Sequence, residues 1–148
     1  MESGVAGAED AALHEEWQPL WLSLQTRPWS ALAVIGSDTG PDVNRVAEIL
    51  ACVGNRDGKR SVRVVSALGA TPPEVPGIVE QLSDASRNGD LILVPCDPPG
   101  GSPAMLPILH ATSGVVFVVR LGASRVASAR KTVDMVDRSR IFATVAIG

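Results

Sequence analysis

Residues Ala31 to Ala51 read ALAVIGSDTGPDVNRVAEILA, and this stretch decides how the rest of the chain is interpreted. It begins with an apolar run of the length expected for a strand buried on both faces of a parallel sheet. Gly36 to Pro41 then turns the chain, and Asp42 is predicted to cap a helix that ends at Gly54. The apolar residues of that helix recur three and four positions apart: Val43, Val46, Ala47, Leu50 and Val53. A strand, a tight turn and an amphipathic helix in this order are typical of a phosphate-binding loop.

Apolar runs and helical patterns alternate along the rest of the chain. Asn88-Gly89-Asp90 is predicted to stop the second of the helices that connect the strands. The alternation predicts an α/β fold, a three-layer sandwich with a five-stranded, mainly parallel sheet and helices on both faces. The strand, turn and helix of Ala31 to Ala51 make this predicted fold similar to that of P-loop NTPases. Residues 14–148 are expected to form one domain, and residues 1–13 a mobile acidic tail. Besides the first strand, the predicted strands are Val62–Ser66, Leu91–Val94, Val115–Val119 and Ile141–Ile147.

Composition argues against several classes of function. The formal charge is -3, but five of the sixteen acidic residues lie within the first sixteen positions, so the remainder is nearly balanced and predicts no nucleic-acid partner. Cys52 and Cys96 have no metal-site or disulfide-like spacing, which favours a reducing cytoplasm and no metal centre. No apolar run approaches the roughly 20 residues of a membrane helix, so direct membrane insertion is not expected.

Another helix, the first in the chain, is predicted before the first strand, in the segment HEEWQPLWLSLQ. Trp17, Leu20, Trp21 and Leu24 fall on one helical stripe, and Pro19 is acceptable only in the first turn. The simplest interpretation is a helix that packs two tryptophans on the domain. The alternative is a partner-binding or dimerisation surface made by Trp17, Leu20 and Trp21.

The turn after the first strand lacks most of the chemistry of a phosphate loop. Such a loop needs inward backbone N–H groups, a lysine for the outer phosphates and a Ser or Thr hydroxyl for magnesium. This turn offers only the first of these, and Pro41 removes one donor. Asp38 and Asp42 add negative charge, which at about 4 Å would cost on the order of 4 kcal/mol against phosphate before screening. We therefore expect no bound cofactor.

The segment VNRVAEILA resembles the helix after the phosphate loop in the cytoplasmic domain of bacterial tyrosine kinases of capsular and exopolysaccharide synthesis, relatives of the deviant-Walker partition ATPases. The family loop has the form P-G-E-G-K-S/T, and the alignment places Gly40 on its first glycine. Val43 then occupies the position of the lysine and Asn44 that of the Ser or Thr. The segment LILVPCDPPGG is similar to the family's strand followed by Asp-x-Pro-Pro, with Asp97 retained and Pro95 in place of the metal-side aspartate. GVVFVVRLGASRVASARKTVDMV and RIFATVAIG are similar to the family's later elements.

The departures from the family bear on activity. The loop lysine is absent, the sequence contains no tyrosine for an autophosphorylated tail, and EEWQPLW lacks the arginines of the family's Glu-x-x-Arg-x-x-Arg oligomerisation motif. The resemblance therefore implies a non-catalytic pseudo-ATPase or pseudokinase, without catalytic residues, that interacts with protein partners in polysaccharide synthesis or export. A membrane-bound export component and a second copy of the chain are candidate partners. The predicted vestigial loop edge consists of Gly36, Gly40, Val43, Asn44 and Asp97.

An enzyme-like alternative stays open, in which the loop binds a nucleotide or another anion and Arg120 or Arg45 supplies the missing positive charge. Asp38 and Asp97 could also form an acidic metal site like that of a phosphate-receiver domain, although Ile141 to Gly148 contains no lysine of the kind such a domain requires. The simpler interpretation is that the two carboxylates cap or stabilise turns. Other residues have simpler interpretations: solvent exposure for His14, a helix-end position for His110, a solvated face for the basic segment 125–140, and packing for Cys96, whose pKa a neighbouring carboxylate would raise.

Overall fold

The computed structural model describes residues 16–36, 42–120 and 126–147. His14, Asp38, Gly40, Pro41 and the predicted acidic tail lie outside these ranges. Short 3-10 turns at Pro72–Glu74 and Arg138–Arg140 precede the third helix and the fifth strand respectively. The helices are α1 (Trp17–Leu24), α2 (Asp42–Asp57), α3 (Val75–Asn88), α4 (Met105–Ala111) and α5 (Val126–Met135), and the strands are β1 (Ala31–Gly36), β2 (Val62–Val64), β3 (Leu91–Pro95), β4 (Gly114–Arg120) and β5 (Ile141–Ile147).

The five strands form one all-parallel sheet in the order β2-β3-β1-β4-β5. Strand β1 lies at the centre, with Ala33 in register with Val94 of β3 on one side and Val115 of β4 on the other. All six residues of β1 are buried, as expected for a central strand covered on both faces. The α/β prediction is confirmed, and the sheet is entirely parallel.

Two apolar cores lie on opposite faces of this sheet. Leu32 and Val34 of β1 point into a core shared with α1 and α2, whereas Ala33 and Ile35 point into a core shared with α3, α4 and the end of α5. The direction of the crossovers explains why α2 lies on one face of the sheet and α3, α4 and α5 on the other. The chain moves in one direction across the sheet from β1 to β2 and in the opposite direction from β2 to β5, and right-handed crossovers in opposite directions place their helices on opposite faces. The reversal occurs around β1, which is therefore the topological switch point of the sheet.

Helix α2 does not end at Gly54, as the sequence pattern predicted, but continues to Asp57. Gly54 is buried within the helix, where a Cβ atom would lie 2.6 Å from the indole of Trp21 and 2.7 Å from Val62 Cγ2. The glycine is therefore required by close packing, and the prediction of a helix end was wrong. In contrast, Gly89 does end α3, with a left-handed φ of 80°.

The strand predicted at Val62–Ser66 is shorter in the structure and ends at Val64. Val65 N–H still donates to Leu93 O at 3.0 Å and Ala67 N–H to Pro95 O at 2.9 Å, so backbone hydrogen bonding to β3 continues beyond the end of β2. Among the described residues, no helix is both long and apolar enough to cross a membrane.

Candidate functional site

The candidate site lies at the carboxyl edge of the sheet, where β1 ends between its two neighbours. Gly36 is the buried last residue of β1 and is in register with Val118 of β4. Helix α2 begins at Asp42 and β4 ends at Arg120, so both reach the same edge. In open parallel sheets, a crevice beside the switch point is the usual place for a ligand.

An ion pair joins α2 to β4 at this edge. Arg120 donates from Nε to Asp42 Oδ2 at 2.7 Å and from Nη2 to Asp42 Oδ1 at 2.6 Å. The hydrogen bonds and charge of the guanidinium lower the pKa of the Asp42 carboxyl, against a weaker effect of burial. The same contacts raise the pKa of Arg120. The paired charges sit where a phosphate loop would present free positive charge.

The predicted N-cap role of Asp42 is corrected by this geometry. Asp42 is the first residue of α2, and its carboxylate accepts both hydrogen bonds from Arg120. A carboxylate in the first helical turn also interacts favourably with the helix dipole. The two residues are 78 positions apart in sequence, and no local pattern indicates that they meet.

Val43 and Asn44, at the lysine and Ser/Thr positions of the aligned loop, are both engaged within the domain. Val43 is 4% exposed and belongs to the core that contains Val34 and Val116. Asn44 Nδ2 donates to Glu48 Oε1 at 3.0 Å, one turn along α2. Neither side chain supplies a cation or a hydroxyl to the sheet edge.

Asp97 connects the loops that follow β2 and β3. Its Oδ2 accepts a hydrogen bond from Gly69 N–H at 2.7 Å, and Gly69 has a left-handed φ of 70°. The carboxylate therefore stabilises a turn, which was the simpler of its two predicted roles. Within the described ranges, no three His, Cys, Asp or Glu side chains converge as metal ligands would.

Cys96, the residue before Asp97, is fully buried. Burial, with a smaller contribution from the Asp97 charge, raises the pKa of its thiol to about 12. Its Sγ also lies 3.3 Å from Val94 O. The interpretation of Cys96 as a packing residue at a strand end is confirmed, with burial as the larger cause of the raised pKa.

A shallow cleft of about 160 Å³ lies beside the ion pair. Its floor is apolar and includes Trp17 and Val46, and its rim carries charged groups, including the exposed side chain of Arg45. The sequence did not predict this cleft, because its walls come from α1, α2, β4 and β5. The full set of lining residues is Trp17, Asp42, Arg45, Val46, Ile49, Arg120 and Ile147.

The tryptophan stripe of α1 packs within the domain. Trp17 is 9% and Trp21 2% exposed, and the rings of Trp21 and Trp29 meet edge to face with centroids 5.8 Å apart. Trp29 Nε1 donates to Leu24 O at 3.0 Å, which ties the chain after α1 back to the helix. Leu20 is only half-buried. These contacts confirm a helix packed on the domain, and a partner role for Trp17, Leu20 and Trp21 stays a prediction.

The basic segment near the chain's end divides into two parts. Arg130 and Lys131 of α5 are exposed, as a solvated face requires, and so is His110 at the end of α4. Arg140, by contrast, donates from Nη2 to Leu109 O at 2.6 Å and to Thr112 O at 2.7 Å. It satisfies carbonyl groups at and beyond the end of α4, a role that sequence reasoning missed.

A five-stranded parallel sheet with helices on both faces and a crevice beside its switch point is an α/β fold of the P-loop-like type. The solved kinase domain of the Escherichia coli tyrosine kinase ETK is similar to this chain, with a TM-score of 0.68. The match covers 80% of this chain and 67% of that chain at 12% sequence identity, so it establishes likeness of fold. No protein family matches the sequence, and no curated protein does either.

Proposed function

We propose that this chain is a non-catalytic pseudo-ATPase, an interaction domain that retains the P-loop-type fold without its chemistry. The observation that carries the proposal is Val43, buried in the core at the position where the aligned family has its phosphate-binding lysine. A valine side chain has no charge to stabilise the outer phosphates, and its contacts with the core hold it away from the sheet edge.

The ion pair supports the same proposal. In a working site the edge needs positive charge directed at phosphate, but Arg120 is held by both oxygens of Asp42. An incoming phosphate would have to compete with an existing bidentate partner and approach the negative charge of that same carboxylate. Both effects disfavour nucleotide binding.

The resemblance to kinases of capsular and exopolysaccharide synthesis extends the proposal to a biological setting. In that setting the domain acts in the cytoplasm as a partner or regulator of polysaccharide synthesis or export, with a membrane-bound component as its candidate partner. Deletion of the gene should then change the amount or the chain length of an exported polysaccharide. Unchanged polymer in the deletion strain would remove the process from the proposal and leave the pseudo-ATPase part standing.

Calorimetric titration with magnesium-ATP and magnesium-ADP tests the loss of chemistry. We expect no heat of binding for the natural chain and no release of phosphate on incubation with ATP. Micromolar binding accompanied by turnover would refute the proposal. The double variant Val43→Lys/Asn44→Ser restores the two aligned residues, and a gain of nucleotide binding in it would support descent from a phosphate site. A matched control, Val43→Lys/Ser83→Ala, introduces the same lysine without the hydroxyl at position 44.

The cleft favours a second candidate function, binding of a nucleotide or another anion through an atypical site. Arg45 and Arg120 both line the cleft, so two guanidinium groups stand near the switch point. Since Arg120 is held by Asp42, Arg45 would supply most of the attraction. A bound anion at 100 times its dissociation constant would stabilise the fold by about 2.7 kcal/mol. A thermal-shift screen of nucleotides and inorganic phosphate would show this, and Arg45→Ala should abolish the shift.

A further inference from the structure

Strand β5 forms a long open edge of the sheet. The sheet ends at β2 on one side and at β5 on the other, and in the part of the chain that the structure describes nothing pairs with the outer side of β5. Strand β2 has only three residues and carries the exposed Arg63, whereas β5 has seven residues, IFATVAI, without charge, proline or glycine. Short length and charge are common means of protecting an edge from pairing, and β5 has neither.

The regular part of β5 is the segment from Ala143 to Ile147. A register shift lies near its start, where neighbouring residues of β4 pair with Ile141 and Ala143, so that Phe142 is an extra residue of the bulge type. Beyond it, each residue is paired in register up to Arg120 and Ile147. The backbone N–H and C=O groups that β4 does not use point outward along this segment.

Side chains along the regular segment alternate sharply in exposure. Val145 is buried, while Thr144 and Ala146 on the opposite face are both exposed and small. Antiparallel pairing with an identical segment about Val145 would place Thr144 directly opposite Ala146 of the second copy, and Ala143 opposite Ile147. In both kinds of pair an alanine faces a larger side chain, threonine in one and isoleucine in the other. The segment is therefore complementary to itself under a two-fold axis.

We propose that β5 pairs with β5 of a second copy of this chain, so that two five-stranded sheets join into one continuous sheet. Strand β5 contains no ionisable residue, which favours a second copy of the chain as its partner. A charged partner strand would find no opposite charge on this strand, and two copies of β5 would not repel each other. Arg140, which precedes β5 in the sequence, is engaged with carbonyl groups at the end of α4. The guanidinium of Arg27 lies over the ring of Phe142, 4.7 Å from its centroid, at the start of β5 and outside the regular segment. The proposal rests on the sheet edge alone and does not depend on loss of nucleotide chemistry.

Two double variants test this pairing against each other. In Thr144→Lys/Ala146→Lys, like charges would face each other at both exposed positions, and the dissociation constant of the dimer should rise by about tenfold or more. In Thr144→Glu/Ala146→Lys, the same two positions would carry opposite charges across the axis, so the dimer should persist. Gln81→Lys/Ser83→Lys places two lysines on the exposed side of α3 and controls for added positive charge.

Sedimentation velocity over a wide concentration range measures the outcome, with circular dichroism to establish that each variant is folded. We expect a concentration-dependent dimer for the natural chain, the opposite-charge variant and the α3 control. For the like-charge variant, we expect dimer only at concentrations about tenfold higher or more. A natural chain that stays monomeric or grows beyond a dimer would overturn the proposal. Equal behaviour of the two β5 variants would also overturn it, because only pairing about Val145 distinguishes them.

Discussion

Substitution of Gly54 by alanine should destabilise the domain, although alanine is the better helix former. The added Cβ would stand 2.6 Å from two ring carbons of Trp21 and 2.7 Å from Val62 Cγ2, whereas unstrained carbon contacts lie near 3.5–4.0 Å. The Trp21 ring is 2% exposed and packs edge to face on Trp29, so it has little space in which to retreat. Overpacking of this kind costs about 1–3 kcal/mol, while removal of a mid-helix glycine returns about 1 kcal/mol.

Because all three contacts lie far below the van der Waals distance, the cost should fall at the upper end of this range, and the expected net loss for Gly54→Ala is about 2 kcal/mol in the free energy of unfolding. Urea denaturation followed by tryptophan fluorescence measures it as a lower midpoint with an unchanged slope. Gly77→Ala is the matched control, because α3 leaves open space around Gly77, and it should stabilise the fold by about 0.4–1 kcal/mol.

A double-variant cycle isolates the contact between α1 and α2. In a Trp21→Leu background the smaller side chain leaves room for the methyl group, so Gly54→Ala should cost much less than it does in the natural chain. If Gly54→Ala stabilised the natural chain as Gly77→Ala is expected to do, the close contact between position 54 and Trp21 would not limit packing in solution. An unchanged cost in the Trp21→Leu background would equally show that Trp21 is not the obstacle.

Three further predictions concern the sheet edge. The Asp42 carboxyl has a pKa below its unfolded value, so its contribution to stability is complete above the unfolded pKa and disappears as the pH falls through the folded pKa. In acid denaturation, the free energy of unfolding of Asp42→Asn should therefore depend less steeply on pH than that of the natural chain. Arg120→Gln, which removes the partner of Asp42, should show the same flatter dependence. Cys96 has a thiol pKa of about 12, so it should resist alkylation at pH 8 in the folded protein and react once urea unfolds the chain. Mass spectrometry of the labelled peptide measures the rate of reaction. Labelling of the folded chain at the rate of the unfolded chain would contradict the burial of Cys96. Asp97→Ala should lower the free energy of unfolding by about 1 kcal/mol, because the hydrogen bond from Gly69 N–H to the Asp97 carboxylate is lost. Hydrogen exchange at the Gly69 amide should then become faster. An unchanged exchange rate would contradict the proposed role of this hydrogen bond.

The order and type of the main elements could be predicted from the sequence. Continuous apolar runs such as Leu91–Val94 fall within buried strands, and apolar residues three and four apart fall on the buried sides of helices, because local periodicity reports which side of an element loses water. It also placed Val43 on the buried stripe of α2, where a phosphate loop would need lysine.

Which distant residues meet, and which strand lies at an edge of the sheet, depends on the tertiary arrangement. The pair between Asp42 and Arg120 depends on β4 lying next to β1, and Gly54 is needed only because Trp21 packs across α2. The run Ile141–Ile147 is as apolar as the central strands, yet Thr144 and Ala146 are exposed because the strand order leaves β5 outermost. Strand order arises from crossovers between segments far apart in sequence, and a local pattern contains no record of it.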